Sequence, residues 1–142
     1  LYNSFGYFKR RKDDLRMVRE VYRVLRPGGK FVLNTLNGQG VKKALEKPVS
    51  MGREPIKNVF MIDAAKFNDE KSQTQSEWTI VDARKSKAKI HRMKFQQNVY
   101  THRQLKALLK EAGFKIETTW GMLQGGDFDP DRTWHQTIVA KK

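Results

Sequence analysis

RVLRPGGKFVLNTLNG, residues 23–38, carries a helix end, a tight turn, an apolar strand and a polar loop in unbroken succession. Pro27 biases Arg26 out of the helical region, and Gly28 and Gly29 can take backbone angles that other residues avoid. Phe31, Val32 and Leu33 then form a short apolar run between polar neighbours. Such a run after a helix predicts a central parallel strand buried on both faces, and open α/β sheets bind ligands in the crevice beyond the carboxyl ends of such strands. Here that end carries Asn34, Thr35 and Asn37.

Upstream, Leu15, Val18, Val21, Tyr22 and Leu25 recur at helical spacing, with Asp13 or Asp14 placed to cap the helix. This stripe reads as core. Lys9-Arg10-Arg11-Lys12 is unfavourable beside a helix N-terminus and predicts a solvated corner. Before it, residues 1–8 set Tyr2, Phe5, Tyr7 and Phe8 around Asn3, Ser4 and Gly6, a loop leaving a strand.

Downstream, Gly38 and Gly40 loosen the chain, and a short helix over residues 41–47 stops at Pro48. Residues 59–62, 78–81 and about 87–100 read as strands, with a turn at residues 68–70, giving an antiparallel three-stranded insertion. Thr101 and Gln104 have the spacing of a capping box ahead of Leu105, Leu108 and Leu109, and Gly113 ends that helix. Phe114, Ile116 and Thr118 alternate with polar residues as in a half-exposed strand, residues 121–132 form a loop, and residues 133–140 return as the last strand.

The 142 residues are 38% hydrophobic and 31% charged, enough for one α/β domain with a real core. No apolar run approaches the roughly 20 residues of a membrane span, so no membrane partner is expected. There is no cysteine, which excludes a disulfide framework, a thiolate metal site and a thiol nucleophile; with no secretory leader in view, a cytoplasmic location is expected. The net charge of +14 and the pI near 10.1 admit a nucleic-acid partner through phosphate contacts. Much of the excess lies between Arg84 and Lys94, where lysines on an edge strand also serve to block edge-to-edge pairing.

Taken together, YNSFGYF at residues 2–8, the helix DDLRMVREVYRVL, the turn and strand RPGGKFVLNTLNG, and the tail LLKEAGFKIE followed by WHQTIVAKK resemble the C-terminal half of a class I, Rossmann-like S-adenosylmethionine-dependent methyltransferase. The resemblance implies three parts. Residues 1–48 are core, with the exit loop of the fourth strand, a helix and the fifth strand; residues 49–100 are the antiparallel insertion over the acceptor site; residues 101–142 are the last core helix and the final antiparallel strand pair. It implies S-adenosylmethionine as cofactor, with Leu1, Tyr2 and Phe5 nearest to it, and a small-molecule acceptor beside Tyr7 and Phe8, with Asn34 and Asn37 orienting it. The family's glycine-rich loop and the acidic end of its second strand have no counterpart here. The chain alone is therefore expected to bind cofactor poorly, needing the first half of the core or a partner chain.

Methyl transfer from a sulfonium needs alignment and exclusion of water rather than a protein nucleophile. A general base helps if the acceptor must lose a proton, and His91 in the insertion is the candidate. His91, His102 and His135 lack metal-ligand spacing, so no metal is expected. Two alternatives stay open: a non-catalytic basic module that binds RNA or an acidic partner through residues 9–12 and 84–94, and a subunit that completes its site with another chain.

Overall fold

The computed structural model describes Leu1 and residues 3–142. Helix α1 (Arg11–Val24) runs into the Pro27 turn and then strand β1 (Lys30–Leu36), as the local signals require. There follow α2 (Gly38–Ala44), β2 (Val49–Ile56), β3 (Val59–Asn68), β4 (Gln73–Asp82), β5 (Lys89–Asn98), α3 (His102–Glu111), β6 (Lys115–Trp120) and β7 (His135–Lys141).

One sheet has the order β1-β7-β6, with β7 antiparallel to both neighbours. The opposite edge of β1 is taken by the first residues. Leu1 N donates to Val32 O at 2.8 Å, Asn34 N to Leu1 O at 2.8 Å and Asn3 N to Asn34 O at 2.9 Å, the slanted pattern of a parallel pair. Phe31 and Leu33 point with Ile138 and Ala140 into a core shared with Phe5, Val18, Leu105, Leu109 and Phe114. Burial on both faces, expected from the apolar run, is not found. Lys30 is exposed and Val32 keeps 36% of its surface, because α1 and α3 both pack on the Phe31 face.

Four expectations about the helices and the run before α1 change. α1 begins at Arg11, with Arg10 as an N-cap that makes no side-chain capping bond. Asp13 instead binds Arg10 at 2.9 Å, and Asp14 is fully buried, accepting from Asn98 Nδ2 at 2.8 Å and from the Tyr100 hydroxyl at 2.6 Å. Nor is residues 9–12 wholly a solvated corner. Arg11 donates to Ser72 O at 3.0 Å and Val99 O at 2.9 Å, and its guanidinium lies 4.4 Å over the Tyr100 ring. α2 starts three residues earlier than expected, and Gly40 within it tightens the chain rather than loosening it: a Cβ there would stand 2.3 Å from Thr133 O.

The insertion has four strands, not three, in the order β2-β3-β4-β5, each antiparallel to the next. The extra one, β2, carries Gly52 and Pro55, which argue against a strand when read locally. It survives as an edge strand whose register slips between Arg53 and Ile56, a bulge that accommodates the proline.

The capping box at α3 is present. Gln104 N donates to Thr101 Oγ1 at 3.2 Å and Thr101 N to Gln104 Oε1 at 3.0 Å. Thr101→Ala is expected to cost about 1 kcal/mol, seen as a lower urea midpoint with an unchanged slope.

Candidate functional site

The loop of residues 3–8 is pinned between the end of β1 and the base of the four-stranded sheet. Gln97 Nε2 donates to Asn3 Oδ1 at 3.2 Å and to Phe5 O at 2.9 Å, Asn98 N to Gly6 O at 2.6 Å, and Asn98 Nδ2 to Phe8 O at 2.9 Å. Held this way, the Tyr7 ring stands 6.2 Å from that of Phe95, which meets Trp78 edge-on at 4.8 Å and 85°. Burial raises the pKa of Tyr7 above its ordinary value.

Register extends this aromatic wall. Asp63 pairs with Trp78, and Ser76 with Phe95; strand alternation therefore puts Asp63, Trp78 and Phe95 on the face that Tyr7 covers. Asp63 Oδ1 and Trp78 Nε1 are both buried and lack a partner among the described residues. Arg53 lies on the same face one register step away, but its guanidinium turns to Met61 Sδ at 3.3 Å. A depression of about 640 Å³ runs along the sheet edge, reached by Ala65, Ser76 and Phe95 but opening mainly on the other face. Ser50, Ala64, Glu77 and Lys94, with Lys66, Gln75 and Gln96, line it, and by alternation their side chains belong to the opposite face.

The residues expected from sequence fall in different environments. Leu1 is 48% exposed beside β1, and Tyr2 lies outside the described residues. Phe5 is core, with its ring 5.5 Å from that of Tyr100, so only its backbone borders the loop's outer side. Tyr7 and Phe8 are 45% and 48% exposed. Asn34 is buried, its amide donating to Thr137 Oγ1 at 2.8 Å while its Oδ1 lacks a partner among the described residues. Asn37 spends its amide nitrogen on Pro130 O and Thr133 O, both at 2.8 Å, and so anchors the loop before β7. His91 is exposed on the Trp78 face, one register step farther from Tyr7. Sequence reasoning missed Asp63, Trp78 and Phe95 as a group. The basic run is partly neutralised in place, Arg84 pairing with Asp82 at 2.7 Å and Lys94 with Glu77 at 3.3 Å, and its later members lie on edge strand β5.

Among the described residues, no helix is long and apolar enough to cross a membrane, and no three His, Asp or Glu residues gather as metal ligands. No protein-family model and no curated protein matches the chain. Solved structures do. An S-adenosylmethionine-dependent methyltransferase from Clostridium acetobutylicum ATCC 824 superposes with a TM-score of 0.83 at 15% identity, covering 98% of this chain and 55% of that one. The methyltransferase CcbJ from Streptomyces caelestis gives 0.79 at 15% identity over 98% and 57%. The sugar N-methyltransferase KedS8 from Streptoalloteichus sp ATCC 53650 gives 0.68 at 15% identity over 100% and 54%. The fold is thus one found in S-adenosylmethionine-dependent methyltransferases, and the chain spans about half the length of these structures. That agrees with the resemblance to a class I C-terminal half.

Proposed function

We propose that the chain is the acceptor-binding half of an S-adenosylmethionine-dependent methyltransferase that acts on a small molecule. The observation that carries this reading is the junction itself: a parallel-paired strand end, β1, faces an aromatic loop that leans on the inserted sheet. In open α/β folds that strand end borders the ligand crevice. When bound, S-adenosylmethionine supplies a methyl group already activated by the sulfonium.

The residues present fit part of such a cofactor's site. Leu1 offers an exposed apolar surface beside β1, Tyr2 belongs to the same stretch, and Phe5 contributes backbone alone. Tyr7 and Phe8 supply aromatic surface toward the acceptor, and Asn34 keeps a buried acceptor atom near the strand end that has no partner among the described residues. His91 remains a solvent-side base on the same sheet face. The remaining contacts belong to the first half of the core, supplied in the same polypeptide or by a partner.

Calorimetric titration with S-adenosylhomocysteine tests this. A polypeptide that joins this chain to the first half of the sheet is expected to bind at least about 100-fold more tightly than the 142 residues alone, a difference of about 2.7 kcal/mol. Equal affinity would show that the first half is not needed, and no binding by the joined polypeptide would overturn the methyltransferase reading.

A further inference from the structure

We propose, independently of the methyltransferase reading, that the free end of the four-stranded sheet is a membrane-contact surface that seats itself in an anionic lipid bilayer. The two hairpin turns of that sheet, at residues 57–58 and 83–88, lie side by side, joined by the bond from Ala83 N to Asn58 O at 2.8 Å. β3, β4 and β5 each run ten residues between this end and the base, where Gln97 and Asn98 hold the loop of residues 3–8. At about 3.3 Å per residue the turns stand about 30 Å from that base.

Exposed apolar side chains gather at this end on both faces of the sheet. Phe60, Val81 and Ile90 share one row of the register, so their side chains leave the same face, with Phe60 and Ile90 exposed. Ile56 pairs with Val59, the neighbour of Phe60 in sequence, and so leaves the other face. Ile56 and Ile90 are each 61% exposed. A flat partner surface or a second sheet covers one face and leaves the other in water. A medium that surrounds the tip covers both at once, and for aliphatic side chains that medium is hydrocarbon.

The charge around the tip points the same way. Residues 53–60 and 82–92 hold seven Lys and Arg against two carboxylates. Both carboxylates are occupied, Glu54 accepting from Asn58 N at 2.6 Å and Asp82 pairing with Arg84 at 2.7 Å. Lys57, Lys85, Lys87, Lys89 and Arg92 are exposed and enter no ion pair among the described residues. Protection of an edge strand accounts for Lys89 and Arg92 on β5, but not for Lys57, Lys85 and Lys87, which lie in turns. Such like charge repels a second copy of the chain, whereas an anionic bilayer attracts it, each lysine at the surface tightening binding roughly fivefold. Long stems let the ammonium groups stay among the headgroups while the tip goes deeper. Nucleic acid shares the charge but stacks its bases on aromatic rings, and here the exposed apolar residues are Ile56 and Ile90 with one ring, Phe60. Contact of this kind needs no spanning helix, so the expectation of no membrane partner narrows to one of no crossing.

The test is cosedimentation of the full chain with vesicles of phosphatidylcholine alone and of equal parts phosphatidylcholine and phosphatidylserine. Binding to the anionic vesicles is expected to be at least about tenfold tighter, and Lys87→Glu with Lys89→Glu is expected to remove that difference. Ile56→Gln with Ile90→Gln keeps the charge and is expected to weaken binding to the anionic vesicles at least about tenfold. Because these four residues are exposed, both double variants are expected to keep the wild-type circular dichroism spectrum. The chain has no cysteine, so Ser86→Cys supplies one thiol for an environment-sensitive fluorophore. Its emission is expected to move to shorter wavelength on the anionic vesicles and to be quenched by nitroxides carried on the acyl chains. Equal binding to the two vesicle types, a fluorophore that stays in water, or a folded isoleucine variant that binds like the wild type overturns the proposal. So does a vesicle-free dimer abolished by the isoleucine variant, which assigns the surface to a second copy, or tighter binding to oligouridylate than to anionic vesicles, which assigns it to RNA. Loss of vesicle binding in the polypeptide joined to the first half of the sheet would mean that the tip is covered there, and overturns the proposal too.

Discussion

Gly6→Ala is expected to lower stability by more than about 3 kcal/mol, enough to populate the unfolded chain in mild urea. Gly6 holds φ at +94°, and a Cβ there would stand 2.2 Å from the backbone oxygen of Asn98. Positive φ costs a residue with a Cβ roughly 1–2 kcal/mol, and overpacking a rigid contact adds about 1–3 kcal/mol. The Asn98 N bond to Gly6 O, 2.6 Å long, has to lengthen as the backbone retreats, removing about 1 kcal/mol more. Gly125→Ala is the control, since Gly125 has φ +108° but nothing within 4 Å of its Cβ position. It is expected to show the backbone cost of about 1–2 kcal/mol alone. Because Tyr7 follows Gly6 directly, Gly6→Ala is also expected to broaden or shift the Trp78 indole resonance across the Tyr7–Phe95–Trp78 wall.

Asp14→Leu is expected to cost about 3–5 kcal/mol, because it strands two buried donors at once. The Tyr100 hydroxyl and the Asn98 amide both end on Asp14 Oδ2, and each unsatisfied buried group costs about 1–3 kcal/mol. Asp14→Asn keeps an acceptor oxygen and is expected to lose about 1 kcal/mol. The two variants also separate in pH. Burial raises the pKa of Asp14 above the usual carboxylate value, opposed in part by the hydrogen bonds from Tyr100 and Asn98 and by the Arg11 charge. A raised folded-state pKa means that the folded protein holds the proton more tightly than the unfolded chain. This contribution is complete below the unfolded pKa and is lost as pH rises through the folded one. Urea midpoints measured upward from pH 4 are expected to fall more for the wild type than for Asp14→Asn.

Local signals carried much of the fold. The Pro27 turn, β1, the capping box of α3 and the alternation of β6 were legible because each is decided within a few neighbouring residues. β2 was not, since Gly52 and Pro55 disfavour a strand and only pairing with β3 keeps it extended. Asp14 was legible as a cap by type and position, but a burial satisfied by Asn98 and Tyr100 outweighed the capping bond. The candidate site divides in the same way. Tyr7 stood out within an aromatic loop, whereas Asp63, Trp78 and Phe95 become neighbours only through the register of three strands. No spacing along the chain encodes that register. Asn37 shows the converse: a polar residue at a strand end, where ligand contacts are common, whose amide serves the loop at Pro130 and Thr133.

The two sheets differ in when they can be completed. Strands β2 to β5 pair only with their sequence neighbours, and hairpins of that kind form in about 1–10 μs. β1 must wait for β7, since Lys30 pairs with Lys141 and Leu36 with His135. During synthesis the inserted sheet can therefore assemble while the antiparallel edge of β1 is still open and Phe31 and Leu33 lack Ile138 and Ala140. Such long-range closure is slow and leaves apolar strand surface available for wrong pairing. A nascent chain that has left the ribosome only as far as residue 98 would hold a finished four-stranded sheet beside an unfinished core, with the β7 edge of β1 open to wrong pairing.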